Sequence, residues 1–142
     1  MKLDIVDAYI LFFLSLYGGL SAYRLSLLLI DAGVVRVPPS GQRSVERSLL
    51  SRLKRLESLG IVYKDGTEYY LGDRVTIDKL KIVGEYGNFE SDIGFAIVVD
   101  SGNGHYQIFE VSELVERIPE HFLQKLFSGA DINMALATII AK

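Results

Sequence analysis

Ser48–Leu71 reads SLLSRLKRLESLGIVYKDGTEYYL, and its polar residues are chosen more narrowly than solubility alone requires. With Leu49 at zero and an advance of 100° per residue, Val45, Leu53 and Leu56 fall within about 40° of it and form one apolar stripe. That periodicity predicts a helix over residues 44–59, stopped by Gly60. Diametrically opposite the stripe lie Arg47, Ser51, Lys54 and Ser58, with Arg43, Ser44 and Arg55 at the margins. The two glutamates of the segment, Glu46 and Glu57, fall on a flank, so the outward face holds only basic and hydroxyl side chains. Beyond Gly60, residues 61–64 and 67–71 are β-branched and aromatic runs separated by Asp65-Gly66. This pattern predicts a hairpin whose type I′ turn places both of those residues at positive φ.

Working outward from this segment, Asp4 predicts an N-cap, Asp7 stands three residues on where a carboxylate favours a helix N-terminus, and Gly18-Gly19 is a stop. The resulting first helix, residues 5–17, is apolar nearly all round, so something must cover its second face. Ser21 caps a second helix over residues 22–32, with Leu20 and Leu25 forming a hydrophobic staple and Gly33 ending it. Residues 34–42 contain Pro38-Pro39 and Gly41 and read as a loop. After the hairpin the pattern is weaker. Residues 75–86 fit either helix or strand. Residues 95–100 and 106–111 read as a second hairpin across Ser101-Gly102-Asn103-Gly104. Ser112 and Glu113 open a helical stretch that Pro119 interrupts, and Asp131 caps a final apolar helix containing Ile132, Leu136, Ile139 and Ile140.

The 142 residues, 49% hydrophobic and 23% charged, are those of a folded protein with room for one ordinary domain, or for a small domain with an appended half. There is no cysteine, which excludes disulfides, thiolate zinc sites and cysteine nucleophiles. The apolar run at residues 8–20 is shorter than the roughly 20 residues of a spanning helix, and Asp4 and Asp7 stand before it where a secretory signal is basic. Both features predict a cytoplasmic protein. The net charge of −3 is unevenly spread. Residues 36–64 hold seven basic residues against two acids, whereas residues 82–142 hold three against nine. The middle of the chain therefore attracts polyanions and its C-terminal part repels them. His105 and His121 are the only histidines, and neither is spaced to pair with a nucleophile. Glu116, Glu120 and His121 share a helix surface at best as ordinary polar residues, and Gly102-Asn103-Gly104 precedes a strand rather than the helix a phosphate loop needs. The expectation is a protein without enzymatic activity, cofactor or metal.

Leu53-Lys54-Arg55-Leu56-Glu57-Ser58-Leu59-Gly60-Ile61-Val62, followed by a hairpin ending in Tyr69-Tyr70-Leu71, resembles the winged helix-turn-helix DNA-binding domain of bacterial and archaeal transcriptional regulators. The opening YILFFLSLYGGLSAYRLSLLL is most similar to the PadR-like subgroup of these PadR-like and MarR-like proteins. The resemblance spans residues 4–72. It implies an α+β fold, with three helices and a β-hairpin wing over residues 1–73 and a C-terminal α/β extension over residues 74–142 for dimerisation or sensing. It further implies sequence-specific binding of double-stranded DNA, with helix 44–59 in the major groove. Arginine matches guanine O6 and N7, serine hydroxyls reach base or phosphate, and carboxylates are excluded. Ser44, Arg47, Ser48 and Ser51 are then placed to read bases, and Arg43, Lys54, Arg55 and Lys64 to hold the backbone, with Arg36 joining from the loop. The acidic wing tip is a poor match to phosphate. The apolar surround of the first helix and the apolar final helix predict a homodimer. The competing reading is a winged helix used for protein interaction in a replication or virion assembly, its acidic C-terminal half engaging a basic partner.

Overall fold

The computed structural model describes residues 2–83 and 90–123. It is a mixed α+β arrangement in which α1 (Ile5–Tyr17) leads through a two-residue strand, β1 (Leu20–Ser21), into α2 (Ala22–Asp31) and then α3 (Gln42–Ser58). The hairpin of β2 (Val62–Asp65) and β3 (Glu68–Leu71) joins β1 in one antiparallel sheet of order β1-β3-β2. A second antiparallel sheet, in simple meander order, follows as β4 (Val75–Val83), β5 (Glu90–Gly102) and β6 (His105–Glu110), before the short helix α4 (Val111–Glu116). No helix among the described residues is long and apolar enough to cross a membrane.

The helix ends follow their sequence signals closely. Asp4 Oδ1 accepts from the Asp7 amide at 2.9 Å while the Asp7 carboxylate accepts from the Asp4 amide at 3.1 Å, a reciprocal capping box. Ser21 caps α2 by accepting from the Arg24 amide, and Leu20 and Leu25 are both fully buried beside it. The third helix, by contrast, begins two residues earlier than Ser44. Gly41, at φ +92°, opens it with no side-chain cap, and its carbonyl accepts directly from the Ser44 amide. A signal that seeks a capping hydroxyl therefore lands inside the first turn.

The first hairpin departs from the turn expected of it. Asp65 pairs with Glu68, so the first loop is Gly66-Thr67, and Gly66 alone has positive φ, the feature of a type II′ turn rather than type I′. In the second hairpin Gly102 pairs with His105, and Asn103 and Gly104 lie at φ +57° and +77°, the type I′ requirement. Residues 75–83 are strand, and residues 84–86 of that segment, like the final helix expected after Asp131, lie outside the described residues.

The core is built around α1. Residues 8–14 are all buried, one side against α2 and the first sheet through Leu20, Leu25 and Leu29, the other against Ile97, Val99, Leu114, Val115 and Phe122. Phe13 meets Phe122 edge to face with centroids 6.1 Å apart. The second face of α1, whose need for cover is one ground for expecting a homodimer, is thus covered by the same chain, and the core runs without a break across residue 73. Two polar ties fasten the halves. The Tyr9 hydroxyl donates to the Leu114 carbonyl at 2.6 Å in a buried bond, and the Gln107 side chain exchanges two bonds with the Leu3 backbone.

Tyr9→Phe removes that hydroxyl and leaves a buried carbonyl without its donor, a loss of about 1 to 3 kcal/mol. Urea denaturation is expected to show the midpoint falling with one transition for both halves. Separate transitions would mean that the halves unfold independently.

Candidate functional site

The stripe of α3 is buried as its spacing predicts: Val45, Leu49, Leu53 and Leu56 all face the core. Burial on this side forces the opposite side into solvent. Arg43, Arg47, Ser48, Ser51, Lys54 and Ser58 are exposed, and among the described residues neither Arg43, Arg47 nor Lys54 has a carboxylate partner. Ser44 is half-buried and shares a hydrogen bond with Ser40 Oγ at 2.6 Å. Arg36 is exposed in the loop, and one cleft brings it together with Ser44 and Ser48. Lys64 stands apart on β2, its Nζ 5.7 Å from the centroid of the Tyr69 ring, a cation–π contact.

Arg55 is placed differently from the other basic residues of the expected set. Its Nη2 donates to Asp7 Oδ2 at 2.6 Å, although half of the side chain remains exposed. Arg52 lies next to it, and its Nη1 donates to both carboxylate oxygens of Asp4 at 2.7 and 2.8 Å and to Asp7 Oδ1 at 3.2 Å. Asp7 itself is fully buried. The two arginines and two aspartates therefore form one network that joins the N-terminus of α1 to the flank of α3. A buried carboxylate is tolerable here because the Asp4 amide, the helix N-terminus and two guanidiniums all compensate it. Burial pushes the Asp4 carboxyl up, but the Asp7 amide and then the Arg52 guanidinium outweigh it, so Asp4 titrates below the usual carboxylate range. Burial likewise opposes the charge on Arg52, yet Asp4 and Asp7 raise its already high value.

Sequence reasoning leaves Arg52 out of the site and gives Asp7 only a capping role. A signal for their pairing does exist. A carboxylate in the first turn of an otherwise apolar helix needs a cation, and Arg52 and Arg55, three apart, occupy one flank of the only strongly basic helix among the described residues.

The hairpin beside α3 has a different character. Asp65 and Glu68 face each other across the strands at its tip, and Tyr63 stacks on Tyr70 with centroids 5.3 Å apart. The Tyr70 hydroxyl donates to Glu68 Oε2 at 2.8 Å. The Glu68 bond, followed by burial and nearby negative charge, raises the Tyr70 hydroxyl above its ordinary value. Among the described residues no three His, Asp or Glu side chains are grouped as for a metal ion, Glu116, Glu120 and His121 included.

Two expectations follow for stability. Arg55→Ala uncovers the Asp7 carboxylate and lowers stability by about 1 to 3 kcal/mol, less than for a fully buried pair because Arg55 is half exposed; Lys54→Ala stays within about 0.5 kcal/mol. Equal effects in urea denaturation would contradict the network. Because the folded protein holds the Asp4 proton less tightly than the unfolded chain, the separate contribution of the Asp4 carboxylate is complete near neutral pH and is lost as pH falls below about 4. Asp4→Asn keeps a capping side chain and is expected to flatten that acid limb.

No family model, curated protein or solved structure matches this chain.

Proposed function

We propose that the protein binds double-stranded DNA as a winged helix-turn-helix transcriptional regulator, with α2 and α3 as the helix-turn-helix, α3 in the major groove and β2–β3 as the wing. The order α1-β1-α2-α3-β2-β3 and the sheet order β1-β3-β2 support this reading. The observation that carries it is the division among the cations of α3. Arg52 and Arg55 are engaged by Asp4 and Asp7, while Arg43, Arg47 and Lys54 project from the opposite side without an intramolecular partner among the described residues. A helix stabilised only for itself has no reason to gather unpaired cations and serines on one face and keep every carboxylate off it.

In this reading Arg47 contacts a base edge, with Ser44, Ser48 and Ser51 beside it, and Lys54, Arg43 and Arg36 hold phosphates. Arg55 serves mainly to position the helix. The wing supplies at most Lys64, because Asp65 and Glu68 at its tip repel phosphate. We further propose that two copies act on a two-fold site, which sets the two α3 helices about 34 Å apart. Support for a dimer rests on the outer face of the second sheet, where Tyr106 and Ile108 are 62% and 59% exposed.

Fluorescence-anisotropy titrations of duplex DNA at several salt concentrations test the assignment. Arg47→Ala is expected to cost about 1 to 3 kcal/mol at a selected site and to relax preference at one position of each half-site. Lys54→Ala is expected to weaken all sequences alike and to reduce the salt slope by roughly one for each phosphate that is no longer neutralised. Unchanged affinity in the Arg47, Lys54 double alanine variant, with helix content intact, would remove the DNA reading and leave a protein-interaction role for this face.

A further inference from the structure

Strand alternation divides the β2–β3 hairpin into two faces of different chemistry. Val62 and Tyr69 are buried on the inner face, and Lys64 belongs to that side, with its ammonium over the Tyr69 ring. The outer face carries Tyr63 and Asp65 on β2 opposite Tyr70 and Glu68 on β3, and none of the four is a cation. Tyr63 lies nearly parallel to Tyr70, at an interplanar angle of 18°, and is 51% exposed. Tyr70 in turn rests on Gly19, where a Cβ would come within 2.5 Å of the ring. The row thus runs from the backbone before β1 across β3 to β2, the edge strand of the sheet, and ends at an open face of Tyr63.

Neither Asp65 nor Glu68 has a cationic partner among the described residues. The Tyr70 hydroxyl donates to Glu68 Oε2 and so steadies that carboxylate, while Glu68 Oε1 accepts no bond among the described residues. Two like charges directly opposite each other across a pair of strands repel, and nothing among the described residues relieves them.

The geometry points to this face as a docking site for an arginine-bearing segment of a protein partner. A guanidinium is planar and weakly hydrated, so it stacks on an exposed ring and still donates within its plane to a carboxylate. Asp65 follows Tyr63 by two residues on the same side of β2, about 7 Å along the strand, which lies within the reach of that fork. Glu68 supplies a second carboxylate, so the face has room for two positive charges. An ammonium gains the charge but is more strongly hydrated and has no flat surface to stack. A neutral side chain gains the ring and leaves the carboxylates uncompensated. Phosphate is repelled, which excludes nucleic acid as the occupant. A free small cation meets an open surface that covers it on one side only, whereas two arginines of one chain engage both carboxylates at once. None of the four residues belongs to the set assigned to DNA, so the inference is independent of that reading.

The test is a two-dimensional amide NMR titration of the full chain with a capped Gly-Arg-Gly-Arg-Gly peptide at low salt. Its lysine and citrulline counterparts and methylguanidinium are the comparators. Saturable shifts centred on residues 63–70 are expected for the arginine peptide, with the lysine peptide roughly threefold weaker. The citrulline peptide and methylguanidinium are expected to be at least roughly tenfold weaker. Asp65→Asn combined with Glu68→Gln is expected to abolish saturation. Tyr63→Leu is expected to bring the arginine peptide down to the affinity of its lysine counterpart, with circular dichroism unchanged in both variants. Shifts centred on other acids such as Glu113 and Glu116, or arginine binding no tighter than lysine or citrulline, overturn the site. Methylguanidinium as effective as the peptide overturns the assignment to a protein segment. The peptide comparison uses the unaltered chain and no DNA, so it decides the matter even where a variant misfolds or the DNA reading fails.

Discussion

The buried carboxylate of Asp7 is the constraint on which the arrangement depends. A charge with no access to water is held only where several donors converge, and here they come from two helices that are distant in sequence. The Asp4 amide and the start of α1 supply part of the compensation, and Arg52 and Arg55 of α3 supply the rest. The stripe of Val45, Leu49, Leu53 and Leu56 fixes which side of α3 is buried. Two guanidiniums bound to Asp4 and Asp7 add directional contacts on one flank of α3, and Arg47, Ser51 and Lys54 lie away from both the stripe and the network.

The same helix whose N-terminus carries Asp7 is the centre of the hydrophobic core. Its residues 8–14 are buried from all sides, by the first sheet and α2 on one hand and by the second sheet and α4 on the other. An all-round apolar helix announces that it is covered, but its composition is silent about what covers it. A partner subunit and a second half of the same chain satisfy the pattern equally. The buried bond from Tyr9 to the Leu114 carbonyl shows which solution the described residues adopt, and it mechanically couples the acidic C-terminal part to the basic unit.

How far the sequence is legible follows from the reach of each signal. Caps, stops and the Leu49 stripe act within a few residues, and α1, α2 and the buried face of α3 lie where those signals place them. Turn type is set by register as well as composition: Asp65-Gly66 has the composition of a type I′ loop, but the pairing of Asp65 with Glu68 moves the loop by one residue. The strand β1 is two residues long and has no periodicity to detect; only its pairing to Tyr69 and Glu68 makes it a strand. The outward basic face is readable because it is local to one helix. The pairing of Arg52 and Arg55 with Asp4 and Asp7 escapes such signals, because it joins positions 45 to 48 residues apart, and so does the cleft formed where α1, α2, the loop and α3 meet.

The cations of α3 divide into two, Arg52 and Arg55, that are paired within the fold and a set, Arg43, Arg47 and Lys54, that has no carboxylate partner among the described residues. Side-chain NMR of the arginine Nε–H groups and lysine ammonium groups, followed while a short DNA duplex is added at low salt, reads that division residue by residue. The predicted result is a shift of Arg43, Arg47 and Lys54, with Arg52 and Arg55 keeping the signals of their bonds to Asp4 and Asp7. Signals of Arg43, Arg47 and Lys54 that stay in place, or loss of the Arg52 and Arg55 pairings on binding, would contradict it.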